Sequence, residues 1–206
     1  MYKSIYSSLP ASFFNRNTVE VAKDLLGREI LRKLGRYWLR ARIVETEAYL
    51  GAGDPASHSA RGPTPRSSVM FGEPGLIYVY FIYGNYFLLN FVTEKSGKAG
   101  AVLIRAVEPI EGIPTMAKLR KLGLAAPALT DRQMVQLTSG PAKLTLAMGI
   151  DGSLNGKPLG LPHLAVLEGK PLTRARIVAA ERIGISDGHD LKLRFYEKGN
   201  RFVSRK

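Results

Sequence analysis

The sequence predicts a single-domain α+β fold over residues 1–206: a curved, mostly antiparallel β-sheet or open barrel, with a protruding β-hairpin and several surrounding helices. Three observations predict it. LIYVYFIY and YFLLNFVT form two aromatic, β-branched arms around the turn dipeptide Gly84-Asn85, which is a hairpin signature. Helical patterning is confined to one early segment and a middle block, so the alternating strand–helix rhythm of a parallel sheet is missing. The C-terminal third returns to short strands, as a meandering antiparallel sheet requires.

Each element follows in chain order. Asn17 or Thr18 can cap a helix through VEVAKDLL, which Gly27 ends. REILRKL and YWLRARIVETEAYL read as strands joined at Gly35, the second longer and partly alternating. Residues 51–75 carry Gly, Pro, Ser and Asp with little periodicity, which marks a long loop of the kind that usually carries function. After the aromatic hairpin, AGAVLIRAVEP is a further strand. PTMAKLRKL is helical, and so is SGPAKLTLAMG, with Ser139 as its cap and Pro141 in its first turn. HLAVLE, RARIVAAERI and LKLRFYEK are the closing strands, and His163 opens the first of them. No repeat or low-complexity linker divides the chain.

Composition narrows the chemistry. A chain of 206 residues can bury a sizeable core without staples. It has no cysteine, which excludes disulfides and thiolate metal sites. MYKSIYSSLPASFF lacks the unbroken apolar run of a signal peptide, and no window is long and apolar enough to span a bilayer. The expectation is a soluble, cytoplasmic protein, nucleoid-associated if bacterial, that acts as a monomer away from membranes. Thirty basic residues against seventeen acidic give a net charge of +13. A field of that sign and size favours a polyanion, with nucleic acid the leading partner.

Candidate reactive groups lie on the long strand and the aromatic hairpin. In IVETEAYLG, alternation places Glu45, Glu47 and Tyr49 on one face. Two carboxylates two positions apart begin about 7 Å apart at Cα, and burial of one would raise its pKa and suit it to proton transfer. The loop that follows carries His58. His58, His163 and His189 lack the spacing of a metal pair, so neither metal nor cofactor is expected. No nucleophile-elbow or phosphate-cradling motif is present. Arg105, within VLIRAV, must find a partner if buried, either a structural carboxylate or a catalytic one such as Glu47. Asn90 stands among Leu88, Leu89, Phe91 and Val92, either as a satisfied core amide or as a specificity contact.

Basic charge, clustered aromatics and paired carboxylates point to an enzyme acting on a nucleobase. Extracting a base from a duplex costs a few kcal/mol, and stacking on aromatic side chains returns about 1–3 kcal/mol per base. Tyr80 on the hairpin arm suits a pocket wall, and Tyr83 at the turn suits a wedge. For Tyr78, Tyr86 and the phenylalanines, core packing is the expectation. Two other classes stay open on the residues alone: a non-catalytic basic nucleic-acid-binding module in which Glu47 merely pairs with Arg105, and a carbohydrate hydrolase using Glu45 and Glu47.

ARIVETEAYLG, DPASHSARGPTPR, MFGEPGLIYVYFIYGNYFLLN and VLIRAVEPIEG, in this order, closely resemble the alkyladenine (3-methyladenine) DNA glycosylase family, as do SGPAKL and RIGI further on. The resemblance covers nearly the whole chain. It implies a metal-free base-excision repair enzyme that takes alkylated or deaminated purines (the class of 3-methyladenine, 7-methylguanine, hypoxanthine and ethenoadenine) out of duplex DNA. It implies that Glu47 activates water, helped by Arg105 and the backbone carbonyl of Ile185. Tyr49, His58 and Tyr80 would wall the base pocket, Asn90 would exclude guanine, and Tyr83 would intercalate. Arg61 and Arg66 would be candidate phosphate contacts. The product would be an abasic site without strand cleavage.

Overall fold

The computed structural model describes residues 7–122 and 129–205; the first six residues of the N-terminal stretch read above lie outside it. Its centre is an antiparallel sheet in which β1 (Glu29–Leu34) and β2 (Tyr37–Leu50) form the first hairpin. Their two-residue loop begins with Gly35 at φ +56°, a left-handed backbone that glycine adopts without a Cβ clash. The aromatic hairpin is β3 (Ile77–Ile82) and β4 (Tyr86–Val92), followed by β5 (Gly100–Glu111), β6 (Leu164–Leu167), β7 (Ile177–Ala180) and β8 (Arg194–Glu197). The main order is β3-β4-β5-β2-β1-β6, with β8 paired to both β2 and β7. Every one of these pairings is antiparallel, as the meandering pattern led one to expect.

The fourteen-residue β2 organises the molecule. On one side it pairs with β5 over residues 40–50; on the other it pairs with β1 over residues 37–42 and with β8 over 45–47. The exchange of partners coincides with register shifts against β5 between Ile43 and Thr46. An extra residue in one strand bends it and increases its twist, and such bulges often re-aim side chains at active sites. Here the irregularity falls immediately before and within the carboxylate pair.

One face of the sheet is covered by helices. α1 (Ala11–Phe14) is a single turn, and α2 (Thr18–Asp24) is capped by Asn17, whose side chain accepts from the amides of Val19 and Glu20. α2 sends Val21 and Ala22 into the core, and Thr46 Oγ donates to the Ala22 carbonyl at 2.9 Å. α3 (Ile113–Leu119), α4 (Asp131–Thr138) and α5 (Pro141–Ala147) complete the layer with Met116, Leu137 and Leu144 fully buried.

Two local expectations are corrected. α5 is capped at Gly140, not Ser139: Ser139 terminates α4, a helix the sequence reading passed over although Thr130 and Gln133 form a complete capping box. The hairpin aromatics also divide. Tyr78 and Phe91 are core, whereas Phe81 and Tyr86 are 50% and 39% exposed, because the arms project beyond the sheet that would cover them. Among the described residues, no helix is long and apolar enough to cross a membrane.

Candidate active site

The register of the sheet assembles the site. Tyr78 lies opposite Asn90, Asn90 opposite Leu103, Leu103 opposite Glu47, and Glu47 opposite Arg194. Partners across adjacent strands share a face, so this one rung gathers residues from five strands onto the face away from α2. Two residues along, Tyr49 and Tyr80 join the same face.

Glu45 and Glu47 are both fully buried. Glu47 Oε1 accepts from the Ile183 amide at 2.8 Å and lies 3.2 Å from Arg105 Nη1. Its Oε2 accepts from the Tyr49 hydroxyl at 2.9 Å. Burial pushes the Glu47 pKa up; Arg105, the Ile183 amide and the Tyr49 hydroxyl pull it down, and the nearby Glu45 pushes it up again, leaving it above the ordinary carboxylate range. A carboxylate whose pKa is raised is a stronger proton acceptor than an ordinary one. Arg105 is buried and stands between the two carboxylates, which settles the partner its position demanded.

A pocket of about 280 Å³ opens beside this pair, near the lower bound of small-molecule sites at about 300 Å³. Tyr49, His58, Tyr80, Asn90 and Ile185, expected as pocket residues, all line it, together with Tyr78. His58 stands edge-on to Tyr80, ring centroids 4.7 Å apart, and its Nδ1 is 3.0 Å from the Tyr78 hydroxyl. Partial burial of the imidazole, helped by the Arg66 charge, pushes its pKa down to about 4, so the ring is neutral at neutral pH. Desolvation raises the Tyr49 and Tyr80 pKa values, keeping both phenols protonated. Asn90 donates its side-chain amide to the Tyr78 carbonyl at 3.1 Å, which fixes its orientation beside the pocket.

A second cleft, about 350 Å³, continues from the first across Tyr49, Tyr80 and Gly184 toward the hairpin. Arg105, Tyr49 and Ile183, the three partners of Glu47, all line it, as do Tyr83 and Lys143. Tyr83 sits at the hairpin tip, 79% exposed, with φ +52°. Arg61 is exposed; Arg66 places its guanidinium 4.9 Å from the centre of the Tyr80 ring, a cation–π contact at the pocket mouth.

Sequence reasoning missed the groups that brace the site. Asp54 and Arg182 form a buried bidentate pair, with Nη1 and Nη2 donating at 2.6 and 2.7 Å. Asp54 also accepts from the Leu50 and Ala56 amides, and Arg182 donates to the Ala48 carbonyl and stands over the Tyr49 ring. This pair ties the loop bearing His58 to the segment bearing Ile185, so the two walls of the pocket are one unit. Glu45, in turn, is held by Arg194 and the Ser204 amide. RIGI marks Arg182 in the sequence, but nothing there names its partner 128 positions earlier.

The chain matches the sequence profile of the methylpurine-DNA glycosylase family over residues 12–201. A protein of Carboxydothermus hydrogenoformans, provisionally named a 3-methyladenine DNA glycosylase, is 46% identical over 199 residues, covering 96% of this chain and 99% of the relative. Provisionally named 3-methyladenine DNA glycosylases of Prosthecochloris aestuarii and Methanocella arvoryzae are 47% and 45% identical, over 94% and 96% of this chain and 89% and 96% of theirs. The chain belongs to the methylpurine-DNA glycosylase family and is a hydrolytic DNA glycosylase.

Proposed function

We propose that this enzyme flips an alkylated or deaminated purine out of duplex DNA and hydrolyses its N-glycosidic bond with water activated by Glu47. The observation that carries the reading is the placement of Glu47: fully buried, with its pKa raised by desolvation, and held by three groups that line the cleft joining the base pocket to the hairpin. The flipped base occupies the pocket between Tyr49, His58 and Tyr80, whose faces suit electron-poor rings. Asn90, fixed by its bond to the Tyr78 carbonyl, crowds the exocyclic amine of guanine. Tyr83 enters the vacated stack through the minor groove, and Arg61 and Arg66 meet phosphates at the pocket mouth.

In the reaction, Arg105 and the Ile185 carbonyl hold the water, and Glu47 takes its proton as oxygen attacks the anomeric carbon. The same carboxylate stabilises the oxocarbenium-like charge that develops on the sugar. 3-Methyladenine and 7-methylguanine are already cationic in DNA, so they depart without an acid. The product is an abasic site with the strand intact, formed by a monomer that needs no cofactor.

The decisive experiment is release of free base from duplexes carrying 3-methyladenine, hypoxanthine or ethenoadenine. Glu47→Gln should retain damaged-duplex binding while release falls at least about 100-fold, the lower end of general acid–base effects. Unchanged release would remove Glu47 from the chemistry.

A further inference from the structure

Glu45 is the second carboxylate of the pair, and its surroundings differ from those of Glu47. Arg194 Nη1 donates to its Oε1 at 2.9 Å, and the Ser204 amide donates to its Oε2 at 2.7 Å. Both its oxygens are thereby engaged away from the cleft, and neither Arg194 nor Ser204 lines that cleft. Among the described residues, Arg105 is the one cation that pairs with both carboxylates: its Nε is 3.4 Å from Glu45 Oε1 and its Nη1 is 3.2 Å from Glu47 Oε1. Buried Arg105 Nε has no hydrogen-bond partner among the described residues. Arg105 is therefore held toward Glu45 by charge more than by a directional bond.

We propose that Glu45 is a positioning residue for the glycosylase reaction: it holds Arg105 between the two carboxylates and so sets how much of that cation Glu47 receives. The inference rests on the assignment of Glu47 as the base. Coulomb attraction is strong in a water-poor site, so a cation shared between two carboxylates stabilises the ionised form of either one less than a cation given to one alone. The other groups facing Glu47 are Tyr49 on its own strand, Tyr80 from β3, Arg182 and the Ile183 amide from the 182–183 segment, and Arg194 opposite it on β8. Of these, Arg194 is turned onto Glu45, and it thereby weakens the competition Glu45 exerts for Arg105.

Opposite signs follow for two neighbouring substitutions. Glu45→Gln removes the competing charge but keeps the shape, so Arg105 acts on Glu47 alone and the acid limb of the pH–rate profile moves down by about 1 pH unit. Arg194→Gln leaves the Glu45 charge less balanced, and the limb moves up. Glu45→Asp keeps the charge and restores a limb close to that of the unaltered enzyme.

The test is single-turnover release of 7-methylguanine from duplex DNA between roughly pH 4 and 8, with thermal melts to establish that each variant is folded. A cationic base is chosen so that the acid limb reports the base catalyst and not protonation of the leaving group. A limb that moves down in Glu45→Gln and returns in Glu45→Asp supports the proposal. A limb that stays fixed in folded Glu45→Gln, or that moves the same way in Glu45→Gln and Arg194→Gln, overturns it. Glu47→Gln separates the two claims. If that variant keeps the acid limb, the base assignment fails and this inference falls with it; if it loses release while Glu45→Gln leaves the limb in place, only the inference fails.

Discussion

Tyr83 is costly to the fold, and the proposed wedge role gives that cost a use. A non-glycine residue in the left-handed backbone region costs about 1–2 kcal/mol, and Tyr83 adopts it at φ +52° with its ring 79% exposed. Its own packing offers no recompense, since a ring that exposed buries little apolar surface. Gly84, the next residue, shares the positive φ, so the pair turns the hairpin and holds the phenol outward. Tyr83→Ala should leave stability within about 0.5 kcal/mol, as for other surface substitutions. It should weaken binding to damaged duplex by about 1–3 kcal/mol, the worth of one base-stacking contact. Paired denaturation curves and anisotropy titrations would show it; equal losses in both would mark Tyr83 as a structural residue.

At the scale of elements, alternation on single strands made Glu45, Glu47 and Tyr49 recognisable as one face, and turn chemistry exposed the hairpin. Register across strands was not legible. A two-residue turn at Gly84-Asn85 would set Tyr78 opposite Phe91, whereas the turn takes in Tyr83 as well and sets Tyr78 opposite Asn90, a slip of one residue that moves Asn90 to the other face; that Leu103 lies between Asn90 and Glu47 depends on pairing with β5, which no local signal fixes. The Ser139 cap failed for a related reason: a Ser-Gly-Pro sequence offers two candidate caps, and Ser139 was already closing α4. The Asp54–Arg182 pair was hidden because a short acidic loop residue looks solvent-facing until its partner is known. Arg182→Met would strand the buried Asp54 carboxylate, and breaking a buried pair in this way costs about 3–5 kcal/mol. The expected outcome is a large drop in denaturation midpoint, with the double variant Asp54→Leu/Arg182→Met losing less than the sum of the two singles; strict additivity would mean that the two loops are not coupled through this pair.

For the whole molecule, charge and composition already indicated the partner class, and the long antiparallel meander already indicated the fold. What they left open was which carboxylate is engaged away from the cleft, since Glu45 meets Arg194 and Ser204 from the tail of the chain. The +13 charge has a direct consequence for DNA affinity. Neutralising about six phosphates would make duplex affinity fall roughly 1,000-fold between about 50 and 200 mM salt. Anisotropy titrations across that range would measure the slope, and a shallow slope would mean that most of the basic surface lies away from the DNA.

The carboxylate centre also has an order of assembly. Glu45 meets Arg194 and Ser204, which follow it by 149 and 159 positions, whereas the hairpin bearing Tyr83 closes on itself between residues 77 and 91. Proteins are synthesised from the N-terminus, and non-local contacts form late because closing long loops is entropically costly. A nascent chain therefore displays its exposed hairpin tip and much of its positive charge before the buried carboxylates are braced. The ribosome, itself a polyanion, therefore faces much of that positive charge before Glu45 has met Arg194 and Ser204.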